Sequence, residues 1–396
     1  TLPIGGRTGM GENVRPFQVA VGDDVLDDLA ARLDRVRWPD EIPGSEGTWE
    51  FGTDLGYLKE LVAYWRDGFD WQAQEKAINE FPQFMAEVGD IDVHFVHVEG
   101  NGPAPLPLLL CHGWPGSFWE FHRIIPLLTD PGRFGGDPSD AFTVVAPSLP
   151  GYGFSFRPGQ RRCNLEEMGE VLGELMTSVL GYRRFGVQGG DWGAGVVSRI
   201  AHQRPAEVAG LHMNLLFTRP APDADRSAPA DDAERVAFAE IDRWMKDRVG
   251  YQWIQGTRPQ TLAYALTDSP VGLAGWIVEK FREWSDCGGD VEARFTKDFL
   301  LTDIMIYWVT GAIGSSFWPY YAVRHGQPAL PPGERIAVPA AHASFPAEIM
   351  HPTRAWAEQV YDIRRWTVMS AGGHFAAAEE PDVLAADIRE FFRDLR

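Results

Sequence analysis

Three cysteines in 396 residues, Cys111, Cys163 and Cys287, leave little room for sulfur chemistry. None belongs to a Cys-x-x-Cys pair and they form no even set, so neither a disulfide framework nor a zinc site is indicated. A reducing cytoplasm is the expected compartment. Positive charge is also scarce: 36 Lys and Arg against 56 Asp and Glu give a net charge of -20. So acidic a surface repels phosphate backbones, which argues against nucleic acid and anionic membranes as partners. The N-terminus lacks the basic-then-apolar pattern of a signal peptide, and no internal repeat or low-complexity tract is present. One uncharged stretch, 304–323, has roughly the length of a membrane span. Gly311, Gly314, Ser315, Ser316 and Pro319 interrupt it, and no basic cluster flanks it. It reads as two buried helical pieces joined by a turn.

What the chain does have is apolar and aromatic material. It is 44% hydrophobic and 23% charged, with 15 Trp and 23 Phe, enough for a large core and an apolar ligand pocket. Residues 1–90 show helical periodicity in DVLDDLAARLDRVRW and LGYLKELVAYWRDGF, and read as a helical N-terminal extension packed on a later core. From Ile91, short β-type runs (IDVHFVHVE, LPLLLCH, FTVVAPSL, RRFGVQG, AGLHMNL) alternate with helical patterns through 216. Such alternation predicts an α/β fold, with a mainly parallel sheet and helices on both faces. Residues 217–330 read as a polar, Pro-containing connection followed by helices, the pattern of a lid inserted into the sheet. Alternation resumes over 331–396 with ERIAVPAAHASF, RRWTVMSAGG and a final helix.

The strongest local signal is GVQGGDWGAGVVSRIA. An apolar strand runs into Gly189-Gly190-Asp191-Trp192-Gly193 and a helix follows at once, the context of a nucleophile elbow with Asp in place of Ser. Gly190 and Gly193 suit a tight turn that brings helix and strand close. An aspartate capping a helix after a glycine turn would look the same. A carboxylate nucleophile is chemically informative. Free aspartic acid has a pKa of about 3.9, so it is anionic at neutral pH and can displace a leaving group from saturated carbon. The resulting ester needs a base to activate water and an acid to orient that base. His374, in the loop GGHF after a probable strand, is the candidate base. The order nucleophile, acid, base points to Glu348 after ERIAVPAAHASF, with Asp362 as rival. The loop His112-Gly113-Trp114-Pro115 follows an early strand. Backbone N–H groups of Trp114 and Trp192 are the expected oxyanion donors, while His112, Gly113 and Pro115 are read as support for the loop. The scheme calls for no cofactor and no metal.

Taken together, HGWPGS, PGYGFS at 150–155, GGDWG and GGHFAAAEEP resemble the α/β-hydrolase-fold epoxide hydrolases of the microsomal-type branch. The resemblance continues through GYQWIQGTRPQTLAYALTDSPVGLAGWIVEKF and covers nearly the whole chain, extension included. It implies an α/β-hydrolase fold, an epoxide and water as substrates, and two lid tyrosines that protonate the epoxide oxygen. Tyr251 matches the first, and Tyr320 is favoured over Tyr321 for the second. That branch often begins with a membrane anchor, and nothing here resembles one. The polar, Pro-rich segment 218–232 departs from the pattern, so the resemblance does not set its path or its effect on the pocket entrance. The oligomeric state is left open, a homodimer included. A haloalkane dehalogenase shares an Asp nucleophile but needs halide-binding donors rather than paired phenols. A non-catalytic binding protein on the same fold would lack a member of the triad.

Overall fold

Runs such as LPLLLC and FTVVAP are too short for helices and are bounded by Gly, Pro and Asp, so they extend. In the computed structural model, which describes residues 13–218, 220, 225–330 and 333–396, they form the centre of one sheet. The chain begins with β1 (Val14–Phe17), three helices α1 (Asp23–Leu33), α2 (Leu55–Asp67) and α3 (Trp71–Ile78), and β2 (Gln83–Val88). The first part of the core follows as β3 (Ile91–Val98), β4 (Leu106–Cys111), α4 (Ile124–Thr129), β5 (Phe142–Pro147), α5 (Leu165–Glu174), β6 (Phe185–Gly189), α6 (Asp191–Gln203) and β7 (Val208–Met213). A helical insertion then runs through α7 (Asp232–Asp247), α8 (Gly250–Thr257), α9 (Pro259–Asp268), α10 (Pro270–Glu283), α11 (Lys297–Thr310), α12 (Ile313–Ser316) and α13 (Trp318–Arg324). The chain closes with β8 (Ile336–Ser344), α14 (Arg354–Val360), β9 (Tyr361–Val368), α15 (Ala376–Glu379) and α16 (Pro381–Phe392).

The strand order is β1-β2-β3-β5-β4-β6-β7-β8-β9. The first three pairings are antiparallel and the remaining five parallel. Helix α5 packs on α6 and α4 on α16, so helical layers cover the sheet. In such sheets ligands gather at the carboxyl ends of the strands. Here those ends carry the loops after β4, β6, β8 and β9.

The purely helical reading of residues 1–90 needs correction, because β1 and β2 are strands of the main sheet. The hairpin from β2 to β3 crosses the boundary at 90. QFMAEV is rich in residues with little strand preference, and Pro16 counts against a strand in VRPF. Proline is tolerated there because β1 is the sheet's edge. The helices of the extension pack on the insertion: Thr53 Oγ1 donates to Gly275 O (2.6 Å) and the Tyr64 hydroxyl to Asp298 (2.7 Å).

Among the described residues, no single helix is long and apolar enough to cross a membrane. The uncharged stretch falls in α11 to α13, where the chain bends by 103° after Gly311 takes a left-handed φ of 66° that ends α11. Residues 300–307 are buried. Within the connection 218–232, residues 219 and 221–224 lie outside the described residues, as do 1–12 of the extension and 331–332 of the final segment.

Leu61 in α2 is completely buried where the extension meets the rest of the core. Truncating it to alanine removes apolar contacts and leaves a cavity, so Leu61→Ala should cost about 2–5 kcal/mol in a urea titration. A loss below about 1 kcal/mol would show that the extension is loosely seated.

Candidate active site

Asp191 lies on the turn from β6 into α6 with a φ of 47°, unusual for a side chain with a Cβ. Gly190 is the N-cap of α6. Gly193 permits the turn, because a Cβ there would collide with the carbonyl oxygen of Cys111 on β4. The helix N-terminus beneath the carboxylate favours its negative charge. The Trp114 N–H donates to Asp191 Oδ1 at 2.8 Å. Trp192 takes the next position on α6, but its N–H makes no bond to Asp191 among the described residues.

The loop after β4 holds Trp114 in place. His112 Nε2 accepts from the Leu149 N–H at 3.1 Å, which leaves Nδ1 to carry the proton and donate to Gly113 O at 3.0 Å. Burial holds the His112 pKa down at about 4, consistent with a neutral brace. Pro115 follows Trp114 through a cis peptide bond. From the insertion, the Tyr307 hydroxyl donates to Gly116 O (2.7 Å), while Ser117 Oγ donates to Asp303 Oδ1 (2.7 Å).

His374 sits in the loop after β9. Its Nδ1 is 2.5 Å from Glu348 Oε1, and its Nε2 is 3.3 Å from Asp191 Oδ2, close but not aligned as a hydrogen bond. Glu348 follows β8, and its Oε1 also accepts from the Ile349 N–H. The rival Asp362 lies inside β9 and pairs with Arg364 at 2.8 Å, away from His374. Other groups that fix the histidine loop were not singled out in the sequence. The His374 N–H donates to Trp284 O (2.9 Å), and the Gly372 N–H donates to Asp286 Oδ2 (2.9 Å). Glu379 accepts from the N–H groups of Asp286 and Phe375. Trp284 and Asp286 sit in the loop after α10, where no motif marks them. Glu379 lies in AAAEEP and looks there like an ordinary helix-end charge.

The insertion brings both tyrosines over Asp191. Tyr251 from α8 stacks on Trp114 (5.4 Å between ring centroids), and Tyr320 from α13 meets the edge of Trp192 at 4.7 Å. The two phenol rings are 5.6 Å apart. The Tyr251 oxygen accepts from Gln252 Nε2 (2.9 Å), so its own proton is free to donate outward. The Tyr320 hydroxyl has no hydrogen-bond partner among the described residues. With Asp191 the two rings border a chamber of about 380 Å³ whose wall includes Leu215, Phe217, Ile241, Trp244 and Met245. A second, much smaller cavity of about 20 Å³ lies among Asp191, His374, Asn214 and Glu120. Tyr321 lines neither cavity.

Comparison with known proteins fits this geometry. Residues 14–121 match the family model "Epoxide hydrolase N terminus" and 107–255 match "alpha/beta hydrolase fold". The chain is 39% identical to Epoxide hydrolase 1 of Oryctolagus cuniculus, over 96% of its own length and 89% of the relative's. It also matches two solved structures. Juvenile hormone epoxide hydrolase of Bombyx mori superposes with a TM-score of 0.87 (27% identity, 98% of this chain and 96% of that one). Epoxide hydrolase of Aspergillus niger superposes with 0.85 (28% identity, 98% of each chain). The chain belongs to the epoxide hydrolase family. Its fold is the α/β-hydrolase fold, and it is an enzyme that hydrolyses epoxides, a hydrolase acting on ether bonds.

The electrostatics of this epoxide hydrolase centre on His374. Burial disfavours the imidazolium, but the Glu348 and Asp191 carboxylates outweigh it and hold the His374 pKa well above its ordinary value. Burial and the Asp191 charge keep Tyr251 and Tyr320 protonated well beyond the usual phenol range. Both phenols are therefore hydrogen-bond donors at neutral pH. Removing the Asp191 charge takes away one anion that favours the imidazolium. Asp191→Asn is thus expected to lower the His374 pKa, read from the ring resonances by NMR titration. An unchanged titration would mean that the two side chains are not electrostatically coupled.

Proposed function

We propose that this epoxide hydrolase opens an apolar epoxide in two steps, through a covalent ester on Asp191. In the first step, Oδ2 attacks one ring carbon, the carbon–oxygen bond breaks, and a phenol of Tyr251 or Tyr320 gives its proton to the departing oxygen. The product is a hydroxyalkyl ester. In the second, water gives a proton to His374 Nε2 and its oxygen bonds to Asp191 Cγ. The oxyanion forms at Oδ1, against the N–H groups of Trp114 and Trp192. Cγ–Oδ2 then cleaves, and the departing alkoxide takes the hydroxyl proton of the regenerated Asp191 carboxyl and leaves as the diol. The chain's own residues supply every group in this scheme.

The observation that carries the reading is the unequal setting of the two Asp191 oxygens. Oδ1 is held by a backbone N–H from the loop after β4, whereas Oδ2 faces the imidazole. Two protonated phenols stand across the chamber where a strained ether oxygen would lie. The coupling of His374 to Asp191 also suits the sequence of steps. Esterification removes the Asp191 charge, so the imidazolium yields its proton more readily, to the phenolate left by the first step, and becomes the base that water requires. The wall of aliphatic and aromatic side chains, with a volume within the range of small-molecule sites, favours an apolar and moderately bulky epoxide.

Asp191→Ala should abolish turnover of a styrene oxide-type substrate, and full activity would end the proposal. His374→Gln should accumulate an ester on the Asp191 peptide, visible by mass spectrometry. Replacing either Tyr251 or Tyr320 with Phe should slow ester formation by about a hundredfold, the low end of general-acid effects. If neither replacement slows that step, the phenols do not deliver the proton.

A further inference from the structure

Behind Asp191, on the side away from the phenols, the wall of the small cavity includes Glu120. This residue belongs to the short helical turn Phe118–Phe121 after the Trp114 loop, and it is buried. Its carboxyl reaches back under its own loop. A Cβ on Gly116 would fall on Glu120 Oε1, so the glycine leaves the space the carboxyl occupies. The loop is clamped on both sides of that spot by Tyr307, through Gly116 O, and by Asp303, through Ser117. Among the described residues no protein group donates a hydrogen bond to this carboxyl. A buried acid without a donor, facing a cavity beside the nucleophile that also holds an imidazole and side-chain amides, calls for a ligand.

The cavity's size limits what that ligand can be. A volume of about 20 Å³ is enough for one water and too little for an organic group. Its wall brings together the His374 imidazole, the Asp191 carboxyl and the side chains of Glu120, Asn214 and Gln188. We propose that Glu120 holds the hydrolytic water against His374 and the Asp191 carboxyl carbon, which makes it a residue of the ester-hydrolysis step. This rests on the covalent-ester reading above. The water gives one proton to His374 Nε2 and adds its oxygen to Cγ. Its second hydrogen stays hydrogen-bonded to Glu120, which neither gains nor loses a proton. Charge supports that division of labour. Burial, with Asp303, Asp191 and Glu379 nearby and only His374 opposing, keeps the Glu120 carboxyl well above the usual carboxylate range. A neutral carboxyl anchors the water through its carbonyl oxygen without competing with His374 as a base.

Three variants test this in single-turnover experiments with rapid quenching and mass spectrometry, which separate ester formation from ester decay. Glu120→Gln keeps a carbonyl acceptor and should retain near-normal rates in both steps. Glu120→Leu should leave ester formation unchanged and slow decay by about a hundredfold, as expected for loss of reactant positioning. Gly116→Ala keeps the acid but pushes it out of its place, and should slow decay in the same selective way. Normal decay in Glu120→Leu or in Gly116→Ala would overturn the proposal, as would an equal loss in both steps. If no ester forms on Asp191 even in the wild-type chain, the covalent reading fails. An ester that forms and decays normally without Glu120 defeats only the role given to Glu120.

Discussion

An imidazole set between two carboxylates and almost closed to bulk solvent is the constraint to which the surrounding architecture answers. Each of those charges would be costly to bury alone, and only the pairing makes the arrangement tolerable. The side chains of Glu348 and His374 are almost wholly enclosed and that of Asp191 is 14% exposed, so neither solvent nor salt relaxes the geometry. The protein positions the three groups with backbone. Asp191 is fixed by a strained turn against β4, Glu348 by the end of β8, and His374 by a loop tied to Trp284 and Asp286. Because those last two residues follow α10, the catalytic loop and the insertion cannot be seated independently. Helices α1 to α3 reach the same goal from outside, since they pack on α10 and α11.

Asp191 also divides the interior. On one side lies a wide apolar chamber beneath two phenols, and on the other a small cavity beside the imidazole. On the proposed reading, an epoxide and a water need not compete for one space, and the carboxyl group is the partition between them. Helix α7 contributes Ile241, Trp244 and Met245 to the wide chamber. It is anchored partly through a small cluster of its own, Ala237 and Phe238 against Trp356, with Glu234 accepting from the Trp356 indole. The rest of the insertion shares the main core.

The sequence was most legible where local geometry dictates residue type. The glycines around Asp191 mark a turn that only a close strand–helix approach requires, and the position of His374 after a strand follows from the alternation of elements. The choice between Glu348 and Asp362 turned on where a strand ends, and β9 extends further toward its N-terminus than the run RRWTV suggests. Residues whose placement depends on tertiary packing were hidden. Tyr251 and Tyr320 come from helices with no distinctive pattern, and only resemblance pointed to them. Glu120 and Asp286 look like surface acids until the loops fold over them. The strands β1 and β2 were missed for a related reason: their pairing with β3 overrides weak local preference.

The rings that join the insertion to the core have an optical consequence. Trp192 and Trp244 line the wide chamber, Trp114 stacks on a phenol, and the Trp284 indole meets the His374 imidazole at 5.0 Å, edge to face. An imidazolium quenches a neighbouring excited indole far more than a neutral imidazole does. Under the two-step reading proposed above, the emission of Trp284 would follow the protonation of the histidine and give a luminescent gauge of which half of the cycle the enzyme occupies.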